Sequence, residues 1–440
     1  MKKENSSTTQ NNGSVKRREF LQYGAGATAG LWITAGLMKA QAASPNEKLN
    51  IGVIGIGGQG RANWSKMTGE NIVAMCDVDD ERAGDGYKKV PNAKKFYDYR
   101  VMLDKMGNEI DAVVVSTPDH THANAAIMAM DMGKHCYCEK PMAHDVAAIR
   151  AMTELAKKNK LATQLGVQRH TIGNVHRVVE IIRSGAIGDV HTVYSWKGGS
   201  RGMPAMPKKF PPVPNHLKWD LWLGPAHDRK YSPDYCPYNW RFWWDFGTGE
   251  PGNWGCHILD IPFWALDLSH PVKAKGWGPP IDPLRSPKSM FSTFEFPKRG
   301  NKPPVTLHWY HTHEPIPFFK ENNIPQKGNN LFVGTKGMLL CDFGNRQLLP
   351  EDKFADFKEP EHTIPNSPGF RKEWLLACKG GEAPTCNFDY SGPMAETVIL
   401  GNVAYRVNAE FDWDWKTMTS PNCKAIEPYI RPEYRKGWEL

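Results

Sequence analysis

From Leu49 onward the chain alternates short apolar runs with longer amphipathic stretches. Ile51, Val53 and Ile54 form one run, residues 71–77 (NIVAMCD) a second, and residues 95–99 a brief third. Residues 111–116 (DAVVVS) are almost continuously apolar, as in a strand covered on both faces. Residues 136–138 and 162–167 complete the set, and helical patterns lie between, from Asp80, over 123–132 and over about 146–159. This alternation predicts an α/β fold with a doubly wound parallel sheet. Such sheets bind ligands beyond the C-terminal ends of their strands. His120, His122, Lys140, Gln168 and Arg169 all fall just past predicted strand ends, so position alone makes them candidates.

After about residue 169 the rhythm changes. Residues 190–196 read as a strand, and the basic, proline-rich stretch 201–214 as a loop. Tryptophan-rich segments follow at 219–225 (WDLWLGP), 240–244 (WRFWW) and 252–260 (GNWGCHILD). Further strands are predicted at 290–296, 305–311, 331–333 and 337–341, and helices at 369–378 and 393–408. We divide the chain into a leader (1–43), a nucleotide-binding domain (44–168), a second domain of α+β character (169–410) and a C-terminal extension (411–440).

At 440 residues there is room for two cores, and 40% hydrophobic with 23% charged residues is an ordinary globular composition. Of the formal charge of +8, six Lys/Arg and two acids precede Ser44, which leaves only +4 for the rest. With no basic run interleaved with aromatics, nucleic-acid binding is not expected. The nine cysteines are scattered and lack zinc-like C-x-x-C spacing, so they read as small buried hydrophobes. The 16 tryptophans suit packing, or the flat faces of sugar rings.

The leader carries Lys16-Arg17-Arg18-Glu19-Phe20-Leu21, then a short, glycine-rich apolar stretch and Ala40-Gln41-Ala42. This resembles a twin-arginine export signal cleaved near Ala42 or Ala43. The stretch is too short and glycine-rich for a membrane span. The expectations are passage through the twin-arginine export machinery, a periplasmic or otherwise extracytoplasmic location, and no integral membrane anchor after cleavage.

The first apolar run leads into Gly55-Ile56-Gly57-Gly58-Gln59-Gly60, a G-x-G-x-x-G turn between strand and helix. Gly55 makes the turn, Gly57 admits a pyrophosphate, and Gly60 lets the helix pack on the strand. Asp77 closes the second strand 22 positions after Gly55, where a ribose-binding acid belongs. Its charge favours NAD over NADP, because it would repel a 2′-phosphate. Lys140 precedes Pro141 at a strand end, where an ammonium can bind a substrate hydroxyl and favour its alkoxide.

GVIGIGGQG, STPDHTH and GKHCYCEKP, in this order and spacing, resemble the glucose–fructose oxidoreductase/inositol dehydrogenase (Gfo/Idh/MocA) superfamily, in its exported subgroup. The resemblance implies that the glycine turn binds a nicotinamide dinucleotide, that Lys140 lies at the active site, and that Pro118 and His122 meet the nicotinamide. Gly58, Gln59, Thr117, His120, Glu139 and Gln168 join the cofactor candidates. It also implies an open, largely antiparallel second sheet whose exposed face makes dimers or tetramers. His257 matches the histidine of the family's D-x-x-x-H motif, a general acid/base, but the aspartate of that motif is Asn253 here, which cannot take a proton. Arg169, His170, Trp196, Tyr238, Arg241 and His257 are candidates for a sugar subsite. No metal is expected; His308, His311 and His313 are the one cluster to check, because His311 and His313 would share a strand face.

The expected activity is that of an exported NAD-dependent oxidoreductase acting on a carbohydrate or glycoside, with Lys140 and His257 handling the hydroxyl proton. Two other readings stand beside it. One is a redox-neutral NAD-dependent glycosidase or lyase. The other is a nucleotide-loaded binding protein whose proton relay has decayed at Asn253.

Overall fold

The computed structural model describes residues 47–199 and 201–440. Residues 1–43, read above as resembling an export signal, lie outside the described residues. The first sheet has six strands: β1 (Asn50–Ile54), β2 (Asn71–Cys76), β3 (Lys94–Phe96), β4 (Ala112–Val115), β5 (His135–Cys138) and β6 (Thr163–Leu165). They are all parallel, in the order β3-β2-β1-β4-β5-β6. The central strands β4 and β5 are buried along their whole length, which is why their sequences run apolar without alternation. The strand order reverses between β1 and β4, which opens a crevice at their C-terminal ends.

The second sheet has eight strands: β7 (Val190–Gly198), β8 (Lys273–Trp277), β9 (Met290–Phe296), β10 (Val305–Thr312), β11 (Asn330–Gly334), β12 (Met338–Cys341), β13 (Arg346–Leu349) and β14 (Glu410–Asp412). Their order is β13-β12-β11-β7-β10-β9-β8-β14. Only the β7–β10 pair is parallel. The sheet is mixed and mostly antiparallel, as the resemblance implied. Its two edges went unread: β13 alternates weakly, and β8 and β14 are short and carry lysines or acids.

The chain returns to the first sheet after building the second. Helix Phe370–Cys378 packs beside β6, where Gln164 donates to the Phe370 carbonyl and Trp374 to the Ala162 carbonyl. Helix Phe388–Val407 lies against helix Val146–Lys158, joined by the buried two-point pair Arg150–Glu396 at 2.7 and 2.8 Å. That helix starts five residues before the expected Pro393, because Asn387 caps it and the proline sits within it. The tail also folds back: Tyr434 bonds Asp145, and Asn124 bonds the Trp438 carbonyl. Among the described residues no helix is long and apolar enough to cross a membrane. All nine cysteines are free, and eight are buried.

Gly60 shows why the glycine turn is sequence-constrained. A Cβ there would lie 1.9 Å from the Gly55 carbonyl oxygen. Gly60→Ala is therefore expected to cost about 1–3 kcal/mol in denaturant unfolding. Gly69→Ala, where a Cβ meets nothing within 4 Å, should change stability by no more than about 0.5 kcal/mol. Equal effects would contradict this packing account.

Candidate active site

A cavity of about 630 Å³ runs from the glycine turn, past the ends of β4, β5 and β6, to the helix that carries His257. Gly55, Gly57, Gly58, Gln59, Asp77, Thr117, Pro118, Glu139, Lys140 and Gln168 line it, as do Arg169, Tyr238, Arg241, Asn253 and His257. Its outer wall comes from the segment between β7 and β8. That segment docks on the end of β2, where Asp80 N donates to the His216 carbonyl, Lys218 N donates to the Val78 carbonyl, and His216 meets Asp79 at 3.0 Å.

At the glycine end the residues fit a dinucleotide. Gly55 has φ +86°, and a Cβ would lie 2.6 Å from the Ser116 carbonyl. Gly57 and Gly58 leave their backbone bare beside the Arg82 side chain, a cation the motif reading missed. Asp77 does more than wait for a ribose. Its carboxylate accepts from Ile56 N at 2.7 Å, Gly57 N at 3.3 Å and Asp79 N at 3.1 Å, which braces the turn. Burial pushes this carboxyl upward despite those amides. Glu139 is a buried hub that accepts from Gln59, Asn63 and Gln168.

Four expected contacts lie elsewhere. His120 is buried with its ring nitrogens on the Phe246 and Trp222 carbonyls, and burial lowers its pKa to about 3. It ties the first sheet to the aromatic cluster of the outer wall. His122 sits 2.7 Å from the Pro141 carbonyl and 2.8 Å from the Thr117 carbonyl, so it braces two cavity-lining loops from behind. His170 is consumed by Asp260 at 2.9 Å, which Tyr390 also bonds, and it stacks on Trp264. Trp196 points to the opposite face of β7, among Ile316, Phe319 and Leu331. Strand position was right for these residues; which side each faced depended on packing partners far along the chain. Gly60 likewise serves helix packing and does not line the cavity.

The histidines of β10 also separate. His308 bonds Thr293 and stacks on Tyr194, His311 is buried on the other face, and His313 lies beyond the strand against Gly199. Among the described residues the group closest to a ligand set is His170, Asp260 and Cys386. Burial pushes the Cys386 thiol well up, so it stays protonated and is a poor ligand.

At the far end of the cavity, Lys140 Nζ donates to the Asn253 carbonyl at 3.0 Å and its side-chain oxygen at 3.2 Å. The Asn253 amide nitrogen donates in turn to Glu250 at 3.1 Å, and Glu250 pairs with Arg201 at 2.9 Å. Asn253 sits in a single π-helical turn, Pro251–Gly255, that feeds directly into helix Cys256–Leu266. Such turns recur at functional sites. His257 follows on that helix. Its Nδ1 is buried and has no protein partner. Burial first, then the charges of Lys140 and Arg169, hold the imidazole well below its ordinary pKa, so it is neutral at working pH. A neutral imidazole with hydrogen-bonding capacity to spare beside a fixed ammonium can take a hydroxyl proton while the ammonium steadies the oxygen.

Two family descriptions match the chain and together span about half of it. Residues 49–167 match the NAD-binding Rossmann fold of the Gfo/Idh/MocA oxidoreductase family, and residues 174–275 match that family's C-terminal alpha/beta domain. The chain belongs to the Gfo/Idh/MocA oxidoreductase family. Inositol 2-dehydrogenase of Salmonella typhimurium is 30% identical over 146 residues, 32% of this chain and 43% of the relative. Myo-inositol 2-dehydrogenase of Thermotoga maritima is 30% identical over 148 residues, 33% of this chain and 44% of the relative. The matched stretch thus spans less than half the length of these relatives. Among solved structures, the WlbA dehydrogenase of Bordetella pertussis, in complex with NADH and UDP-GlcNAcA, superposes with TM-score 0.59 at 14% identity, over 84% of this chain and 99% of that one. Aldose–aldose oxidoreductase of Caulobacter crescentus gives 0.56 at 17% identity, over 83% and 100%. At such identities these two establish a shared fold.

The Asn253 amide accepts from Lys140 and donates to Glu250, which no carboxylate can do. In Asn253→Asp a second negative charge would stand about 3 Å from Glu250. We expect this family-like reversion to destabilise the protein by about 1–3 kcal/mol in thermal or denaturant unfolding. An unchanged or raised stability would contradict the bridging role.

Proposed function

We propose that this protein is an exported, NAD-dependent oxidoreductase that acts on a hydroxyl of a carbohydrate or glycoside and holds its nicotinamide tightly. The observation that carries this reading is the placement of Lys140 Nζ and the neutral His257 imidazole in one cavity with the glycine turn. Bound there, NAD supplies the hydride acceptor. Gly55, Gly57 and Arg82 answer its phosphates, and Asp77 keeps acceptor capacity for a ribose. His257 takes the hydroxyl proton. Lys140, already held by Asn253, donates to the oxygen as charge grows on it and needs no rearrangement to do so. The wall that docks on β2 at Val78 and Asp80 supports slow cofactor release.

The binding-protein reading loses its motive here. Asn253 tethers Lys140 to Glu250, so its identity does not remove the proton acceptor. Export rests on the paired Arg17 and Arg18. One face of the second sheet carries half-buried Tyr194, Phe291 and Tyr310, with Tyr310 against both of the others, which suits self-association into a dimer or tetramer.

Cofactor-loaded protein challenged with sugars and glycosides should develop and keep the absorbance of reduced nicotinamide. Lys140→Met and His257→Gln should each lower kcat by about a hundred- to ten-thousand-fold while the nucleotide stays bound. Because the imidazole is neutral, the acid limb of kcat/KM should fall below pH ~6.5. Wild-type rates in both variants would overturn the residue roles. Glycoside cleavage without net reduction would replace the dehydrogenase by a redox-neutral glycosidase.

A further inference from the structure

The cavity's charges do not balance at its far end. Its acids are engaged: Asp119 accepts from Thr248, Glu139 from Gln59, Asn63 and Gln168, and Asp77 from three backbone amides. Three of its cations are engaged as well, Arg201 by Glu250, Lys140 by Asn253 and Arg241 by the Tyr238 carbonyl, while Arg82 stands at the other end against the glycine turn. Arg169 has no such partner. Among the described residues no carboxylate pairs with it, and aromatic rings hold it instead. Its guanidinium carbon lies 4.5 Å from the Phe343 ring centre and 5.3 Å from that of Trp254. Stacking fixes the guanidinium plane while leaving its in-plane N–H groups free for a two-point contact.

The cofactor's phosphates are in the wrong place to answer this charge. They belong at the end of β1, whereas Arg169 follows β6. Three interstrand steps separate the two strands in the sheet order, roughly 14 Å. Lys140, at the end of β5, lies between them. Arg169 is therefore on the substrate side of the reacting hydroxyl. Trp254 adds a flat, half-buried indole in the same wall, with Lys197 Nζ 5.7 Å from its ring. A sugar ring laid against that indole, with an anionic substituent, would meet both cations.

We propose that Arg169 is a specificity residue that binds a carboxylate of the substrate, so that the natural substrate is an acidic sugar of the hexuronate class, free or as a glycoside. This rests on the dehydrogenase reading for its chemistry and on the cavity geometry for its recognition. Carboxylate and guanidinium form two parallel charge-assisted hydrogen bonds, a contact a neutral hydroxymethyl group cannot make.

The test uses the cofactor-loaded full chain and three matched ligand sets: methyl glycosides of glucuronate and galacturonate, the corresponding neutral glycosides, and their 6-phosphates. Binding is read by calorimetry and turnover by reduced-nicotinamide absorbance. The uronates should bind about 50-fold or more tighter than the neutral sugars. Arg169→Gln should bring the ratio of uronate to neutral-sugar binding constants down to about one, and Arg169→Lys should restore part of that ratio. Equal binding of wild type to uronates and neutral sugars overturns the proposal whether or not the variants fold, as does equal weakening of both ligands by Arg169→Gln. Tighter binding of the 6-phosphates overturns the carboxylate assignment. The two readings can fail separately. Uronates bound through Arg169 but not oxidised would sink the dehydrogenase and keep the anion site. Neutral sugars oxidised as well as uronates, by wild type and Arg169→Gln alike, would do the reverse.

Discussion

One polar chain crosses the cleft and fixes the chemistry on both sides of it. Lys140, at the end of β5, donates to Asn253 in the π turn; Asn253 donates to buried Glu250; Glu250 pairs with Arg201 from the outer wall. Each link places a donor against an acceptor, so a lysine ammonium can stand in a half-buried cavity without a carboxylate of its own. Breaking a link would leave a buried charge short of a partner, which costs more than the bond itself contributes. The π turn sets the phase of the helix that follows, so the same chain also fixes where His257 stands. The link across the cleft and the position of the His257 imidazole are thus one constraint.

The electrostatics of the cavity follow from that arrangement. Lys140 and Arg169 both lie close enough to His257 to disfavour a third positive charge, and burial adds to the effect. The imidazole is kept neutral, and the Lys140 ammonium donates to both oxygens of Asn253. At the other end, Asp77 accepts from the turn amides of Ile56 and Gly57 and holds the glycine loop in the shape a pyrophosphate needs.

Much of this was legible in the sequence because it is local. Continuous apolar runs marked β1, β2 and β4, and the glycine spacing marked the turn, since only a missing Cβ admits Gly60 beside the Gly55 carbonyl. Lys140 and His257 were found from motif position. What stayed hidden depends on distant partners. His120, His170 and Trp196 sit at strand ends or on strands as expected, yet each is claimed by groups between about 90 and 135 positions away in the chain. The π turn has no sequence period of its own. Glu250 and Phe343 become site neighbours only once the outer wall and the β12–β13 turn are folded over the cleft, and Arg82 reaches the glycine turn from helix Asp80–Lys89. The return of helix Phe370–Cys378 to β6 is likewise a tertiary fact, with no mark in a strand–helix alternation.

The central claim is that the cleft beginning at Gly55 holds a nicotinamide dinucleotide firmly enough to travel with the protein. The most direct measurement is to purify the folded chain without added cofactor, denature it, and identify and quantify the nucleotide released. The account predicts NAD in stoichiometric amount, lost in a variant whose turn is blocked by a side chain at Gly57. Protein that carries no nucleotide, and binds neither NAD nor NADP when either is supplied, would contradict it from the glycine turn onward.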